Sequence, residues 1–262
     1  MIRQTLLGLC LAAATAVTAA ETFKLDSEKD WKMPRTGGKF ENGTFQILKP
    51  IVQYSSKKLF PVEEGKSYKI SGKFRKISGS SVESRLYFGF IPYDANGRLI
   101  LSAAVNPIAG TETELAAAVN SGDRILKVKN ASKWKKGKLV VFNAKPDFSD
   151  LPNRSFTSAV QTIAAKDGVW EVELQKPLHI GYPAGTPIRQ HSHGFTYIYA
   201  AASNSLIPAE WQEISGTVSG ISAKGLPKNR WWKGTAKVAI ILFSPVGKPA
   251  EFEFKDVQLT IE

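Results

Sequence analysis

The amino-acid sequence predicts an all-β protein, a β-sandwich into which a small barrel-like β subdomain is inserted. Three observations carry this expectation. Apolar and polar residues alternate with period two at 68–75, 86–91, 195–199, 214–218 and 238–242. Helical spacing is confined to one short stretch, 113–119. Between 111 and 190, glycine-bearing turns separate short apolar runs.

The first residues read as a signal peptide, residues 1–20. Met1-Ile2-Arg3 supplies the basic start, Leu6 to Val17 the apolar region, and Thr18-Ala19-Ala20 the small residues before a cut. Secretion or periplasmic export is therefore expected, and no later run reaches the roughly 20 apolar residues of a membrane helix. Cleavage would remove Cys10, the single cysteine, and with it both disulfide scaffolding and thiol catalysis. The remaining chain, 43% hydrophobic over the whole sequence, is long enough for one large β domain or two modest ones.

The formal net charge is +12, and the leader contributes only Arg3 to it. Outside the cell such a charge draws anionic partners, acidic or sulfated glycans above all, and nucleic acid is not expected. The alternative is that the lysines only guard sheet edges and maintain solubility.

Tyr68, Ile70, Gly72 and Phe74 alternate with Lys69, Ser71, Lys73 and Arg75, placing one face in a core and a basic face outward. Leu86, Phe88 and Phe90 begin a hairpin whose turn is Asp94-Ala95-Asn96-Gly97. In the inserted segment, Ser121-Gly122-Asp123, Lys136-Gly137-Lys138 and Asp167-Gly168 each introduce a short strand, and Tyr182-Pro183-Ala184-Gly185-Thr186 closes the series. In the last strand Phe252 and Phe254 hold one phase and Val257, Leu259 and Ile261 the other. One extra residue near Lys255-Asp256 would reconcile them as a β-bulge.

Four pieces carry a resemblance: Glu63-Glu64-Gly65-Lys66-Ser67-Tyr68 with its strand, the hairpin from Tyr87 to Leu99, Ala209-Glu210-Trp211-Gln212-Glu213-Ile214-Ser215-Gly216-Thr217, and Phe252-Glu253-Phe254-Lys255-Asp256-Val257-Gln258-Leu259. In order and spacing they resemble the galactose-binding-like jelly roll of carbohydrate-binding modules of families four, nine and twenty-two. The resemblance covers most of 21–110 and 194–262. It implies a discontinuous jelly-roll sandwich, 21–110 and 191–262, with 111–190 inserted, and non-catalytic polysaccharide binding through aromatic side chains. It also implies a structural calcium near the final strand. Where the family commonly shows two acids, this chain has Lys255 and Asp256, so only Asp256 carries over as a metal ligand. No other cofactor is expected.

The binding candidates are aromatic. Lys228-Asn229-Arg230-Trp231-Trp232-Lys233 lies between Pro227 and Gly234 and reads as a loop. Trp231 or Trp232 could stack on a sugar while Arg230 binds its anionic group, or the indoles could plug the end of the sandwich. Tyr197 and Tyr199 share a strand face with Phe195 and form either a stacking platform or core. Tyr87, near Arg85 and Tyr93, has the same two readings. Trp211 reads as packing at a strand start, and Trp134 as a staple under the insertion.

Enzymatic alternatives are fewer. His191 and His193 would share a strand face, with His179 or Glu171 as further metal ligands. With Tyr197 and Arg189 they could instead serve a lyase acting on an anionic glycan. Glu171 and Glu173 share a face, as a solvent-facing strand also explains. Nucleophile elbows and phosphate-cradling loops are absent from the sequence. A structural or adhesive surface protein is the third alternative.

Overall fold

The computed structural model describes residues 20–32, 38–48, 53–244 and 250–262. The expected signal peptide therefore lies outside the described residues except for Ala20. In chain order the strands before the only α-helix among the described residues are β1 (Glu21–Lys24), β2 (Trp31–Lys32), β3 (Gly38–Glu41), β4 (Thr44–Ile47), β5 (Gln53–Ser56), β6 (Phe60–Pro61), β7 (Ser67–Lys76) and β8 (Arg85–Tyr93). That helix, α1 (Ser102–Val105), is a single turn. After it come β9 (Thr113–Glu114), β10 (Ile125–Val128), β11 (Leu139–Phe142), β12 (Phe156–Lys166), β13 (Val169–Leu174) and β14 (Pro187–His191). Then follow β15 (Ile198–Leu206), β16 (Gln212–Ser219), β17 (Lys237–Phe243) and β18 (Phe252–Ile261).

The fold is all-β, in three antiparallel sheets. One layer of the sandwich runs β16-β7-β18-β4-β3 with β1 also on β18; the other runs β15-β8-β17-β5-β2 with β6 on β17. Their inner faces enclose an aromatic core in which Phe45 and Phe254 stack at 4.7 Å and Trp31 meets Phe45, Tyr54 and Phe254 edge-on. The strand at 67–76 keeps its expected phase: Tyr68, Ile70 and Phe74 are fully buried while Lys69 and Lys73 are exposed. It lies directly beside the last strand, Phe254 opposite Phe74 and Ile261 opposite Tyr68.

The bulge expected in that last strand is present. The β7–β18 register shifts between Lys255 and Gln258, and Asp256 takes φ +53. The extra residue returns Val257 and Leu259 to the core that Phe252 and Phe254 also face.

The third sheet runs β10-β13-β12-β11-β14-β9. A bridge between Leu115 and Val128 joins its two ends, supported by Lys129 N donating to Glu114 O and Ala116 N to Lys127 O. The sheet is thus closed into a barrel around Leu126, Val128, Val140, Val172 and Leu174. Trp134 seals it from below, its Nε1 donating to Thr111 O, as the staple reading anticipated.

The one stretch with helical spacing, 113–119, forms no helix. Leu115 and Val119 are both buried, which reads as i, i+4, but each is pinned in a β-bridge, to Val128 and Tyr182 respectively. Sheet closure overrides the local spacing of these two residues.

Candidate functional site

The outer face of the second sandwich sheet carries an aromatic cluster. On β8 the outward residues are Tyr87, Ile91 and Tyr93; on β17 they are Ala239, Ile241 and Phe243, facing them across the register. Tyr87 and Phe243 stack at 4.6 Å with rings 5° from parallel. Tyr199 of β15 packs against both, at 4.7 Å and 5.7 Å, and Tyr197 and Phe195 meet Tyr199 edge-on. Gly89 makes this possible. A Cβ there would lie 1.9 Å from Ile198 O, so only glycine lets β15 settle on β8 closely enough to bring Tyr199 to Tyr87.

Exposure sorts these rings by use. Tyr199 is 4% exposed, and its burial pushes the phenol up to about 12, so it is the centre of the cluster and offers no stacking face. Tyr87, Tyr197 and Phe243 are half-buried, and Phe195 is 44% exposed. Lys228 Nζ lies 4.9 Å from the centre of the Phe195 ring, the cation–π pair that brings positive charge to this edge. Arg85 is nearby in sequence, but its guanidinium is taken up by Glu83 Oε1 and Asn204 O. Tyr87, Tyr197 and Tyr199 were separate candidates in the sequence, and the structure brings them together; Phe243 was missed. The signal was present, because Ala239, Ile241 and Phe243 occupy the alternate phase to Val238, Ile240 and Leu242.

The tryptophan pair is placed otherwise than the stacking reading expected. Trp231 is 0% exposed and Trp232 1%. Trp231 meets Tyr68 at 5.1 Å and Phe90 at 5.0 Å, both edge-on, and Trp232 Nε1 donates to Pro227 O at 3.3 Å. The loop folds its apolar half over the open end of the sandwich, where two indoles fill a space no strand closes. Neither indole can meet a sugar, whereas Lys228 and Arg230 of the same loop stay exposed. Trp211 sits at the start of β16, immediately before Gln212, and is half-buried. It lies outside the core, between Arg75 and Lys255, each 4.6 Å from its ring.

Asp256 offers calcium a single carboxylate, already paired with a lysine. Its carboxylate lies 3.0 Å from Lys73 Nζ, and among the described residues no group of three or more His, Cys, Asp or Glu side chains converges to hold a metal. The metal reading of the histidines meets the same finding. Glu171 and Glu173 are paired with Lys166 and Arg124 on the solvent face of β13.

The lyase constellation is not assembled either. Arg189 is 0% exposed, donating from Nε to His191 Nε2 at 2.8 Å, from Nη2 to Asp150 Oδ2 at 2.6 Å and from Nη1 to Lys145 O. His191 Nδ1 lies 2.6 Å from Ala103 O, which sets the Nδ1–H tautomer with Nε2 accepting. His193 lies beyond the strand and is exposed, so the two rings share no face. This network ties barrel strand β14 to α1 and leaves Arg189 no free donor side for a substrate.

No protein-family model and no curated protein matches this chain. Among solved structures, it aligns over 93% of its length with the CBM22-1 xylan-binding domain from Paenibacillus barcinonensis Xyn10C, 92% of which is covered, at 9% identity and a TM-score of 0.31. Peanut lectin with a nine-residue peptide aligns over 93% of this chain and 97% of its own, at 10% identity and a TM-score of 0.31. The site must therefore be read from its own residues.

His191 gives the network a pH signature. Burial chiefly, opposed by the Ala103 carbonyl and aided by the Arg189 charge, pushes its pKa down to about 4. The unfolded ring titrates near 6.5, so between about pH 6.5 and about 4 the unfolded chain binds a proton that the folded chain does not. Stability from this group is therefore complete above about pH 6.5, drains as pH falls, and is gone below about 4; the change is on the order of 3 kcal/mol. Thermal melts at stepped pH should show this slope in the parent and a flatter one in His191→Asn, whose amide still donates to Ala103 O. Equal slopes in the two proteins would remove His191 as the cause.

Proposed function

We propose that this chain is an exported, non-catalytic carbohydrate-binding protein for an acidic or sulfated polysaccharide, and that it binds on the outer face of the second sandwich sheet. The observation that carries this reading is the accessible aromatic surface of Phe195, Tyr197, Tyr87 and Phe243, held rigid by the buried Tyr199 and edged by Lys228. Flat rings with low side-chain entropy offer apolar faces to the C–H faces of pyranose rings, and hydroxylated Tyr rims add hydrogen bonds. The net charge of +12 and the Lys228 ammonium favour a polyanion over a neutral glycan.

Affinity electrophoresis in gels containing pectate, a sulfated galactan or neutral xylan tests the reading. Retardation by the charged polymers is expected to exceed that by xylan and to weaken with salt. Phe195→Ala and Tyr197→Ala should each weaken binding about tenfold, the equivalent of about 1.4 kcal/mol. Trp211→Ala, on the outer face of the other sheet, should leave it unchanged. Loss in Trp211→Ala with retention in the other two would move the site to the opposite layer. Equal migration in all gels would end the proposal.

A further inference from the structure

A cavity of about 650 Å³ opens on the side of the barrel. Its apolar lining includes Phe142 of β11 and Tyr182, whose rings stack at 3.8 Å within 2° of parallel. Four basic side chains also line it, Arg154, Lys176, His179 and His193, and no carboxylate does.

The charge there is only partly compensated. Arg154 donates from Nη1 to Leu99 O and from Nη2 to Asp94 Oδ2, but its Nε–H is buried without a partner. Asp94 already receives Arg98 through the same Oδ2, so one carboxylate faces two guanidinium groups. Lys176 and His179 are exposed and have no ion pair among the described residues. Cationic side chains in a lining that holds no carboxylate favour an anionic occupant. The volume falls within the roughly 300 to 1,000 Å³ of small-molecule sites, and the combination of aromatic wall and basic rim selects a ring that bears a negative charge.

We infer that this cavity is an end-on site for a carboxylate-bearing sugar ring, separate from the sheet face. The choice of a sugar rests on the function proposed above; the choice of a carboxylate rests on the guanidinium of Arg154 and the ammonium of Lys176 in a lining without acids. A chain lying across the aromatic face would be held along its length, whereas this recess would take a terminus.

Isothermal titration of the full chain with digalacturonate, and with cellobiose as the neutral counterpart, tests it. Digalacturonate is expected to bind and to weaken as salt is raised, and cellobiose to bind at least tenfold more weakly. Lys176→Ala combined with His179→Ala, two exposed positions away from the Arg189 network, should cost at least tenfold for digalacturonate. Phe195→Ala should leave it unchanged. Binding of cellobiose as tight as digalacturonate, full binding in the double variant, or no heat with digalacturonate would each overturn the assignment. Retardation in pectate gels that disappears in Phe195→Ala, alongside no digalacturonate binding, would sink the cavity and keep the sheet face. Digalacturonate binding lost in the double variant, alongside no polymer retardation, would do the reverse.

Discussion

Asp150→Ala is expected to lower the unfolding free energy by about 3 to 5 kcal/mol, because it strands a fully buried guanidinium without its counter-charge. Arg189 is 0% exposed and has committed three nitrogens, to His191, Asp150 and Lys145 O. The Asp150 carboxyl is under opposing pressures. Burial works to raise its pKa, and hydrogen bonds from Asn153, Arg189 and the Lys145 amide outweigh burial and hold it below the ordinary carboxylate range. Against a typical total of about 5 to 15 kcal/mol the loss would be large. Asp150→Asn should cost less, since the amide oxygen still accepts from Arg189. Combining Asp150→Leu with Arg189→Met should recover much of the stability by removing both charges together. Urea unfolding of the four proteins measures this, and an Asp150→Ala variant within about 1 kcal/mol of the parent would refute the account.

Trp231→Ala should cost a similar amount, about 3 to 5 kcal/mol, by opening a cavity at the end of the sandwich where Tyr68 and Phe90 now pack against the indole. The smaller change is more telling. Trp231 Nε1 is buried and has no hydrogen-bond partner, so Trp231→Phe loses ring volume but also removes a stranded donor. Its cost should fall well below that of alanine. Because no indole surface reaches solvent, retardation by pectate in Trp231→Phe should match the parent. A folded Trp231→Phe protein that no longer binds would restore this residue to the ligand site.

Much of the architecture was legible because long strands leave long signals. Residues 67–76, 85–93 and 252–261 each show a long alternation, and even the bulge at Asp256 could be read from a slip in its phase. The strands from β1 to β6 were not foreseen, since two to four residues are too few to establish a period. Residues 113–119 misled because two buried residues four apart satisfy a helix and a bridged extended segment equally. The aromatic face was half legible. Tyr87, Tyr197 and Tyr199 were identifiable as outward candidates, but which ring would be accessible depends on how β15 settles over Gly89, a tertiary fact. The tryptophan loop was misread for the same reason. Its composition describes an exposed loop, and the open end of the core decides its direction.

The bridge between Pro107 and His191 brings the chain's departure into the barrel and its return side by side, with Ile108 N donating to Gln190 O. For the sandwich, pairing β8 with β15 formally means closing a loop of about a hundred residues. Once the barrel has formed, that loop shrinks to the two short stretches flanking the bridge, roughly a fivefold reduction. At about 0.6 kcal/mol per doubling, the entropy of closure falls by about 1.4 kcal/mol. Residues added within the barrel would leave the sandwich's pairing cost unchanged, so the inserted segment could lengthen or diversify without loosening its host.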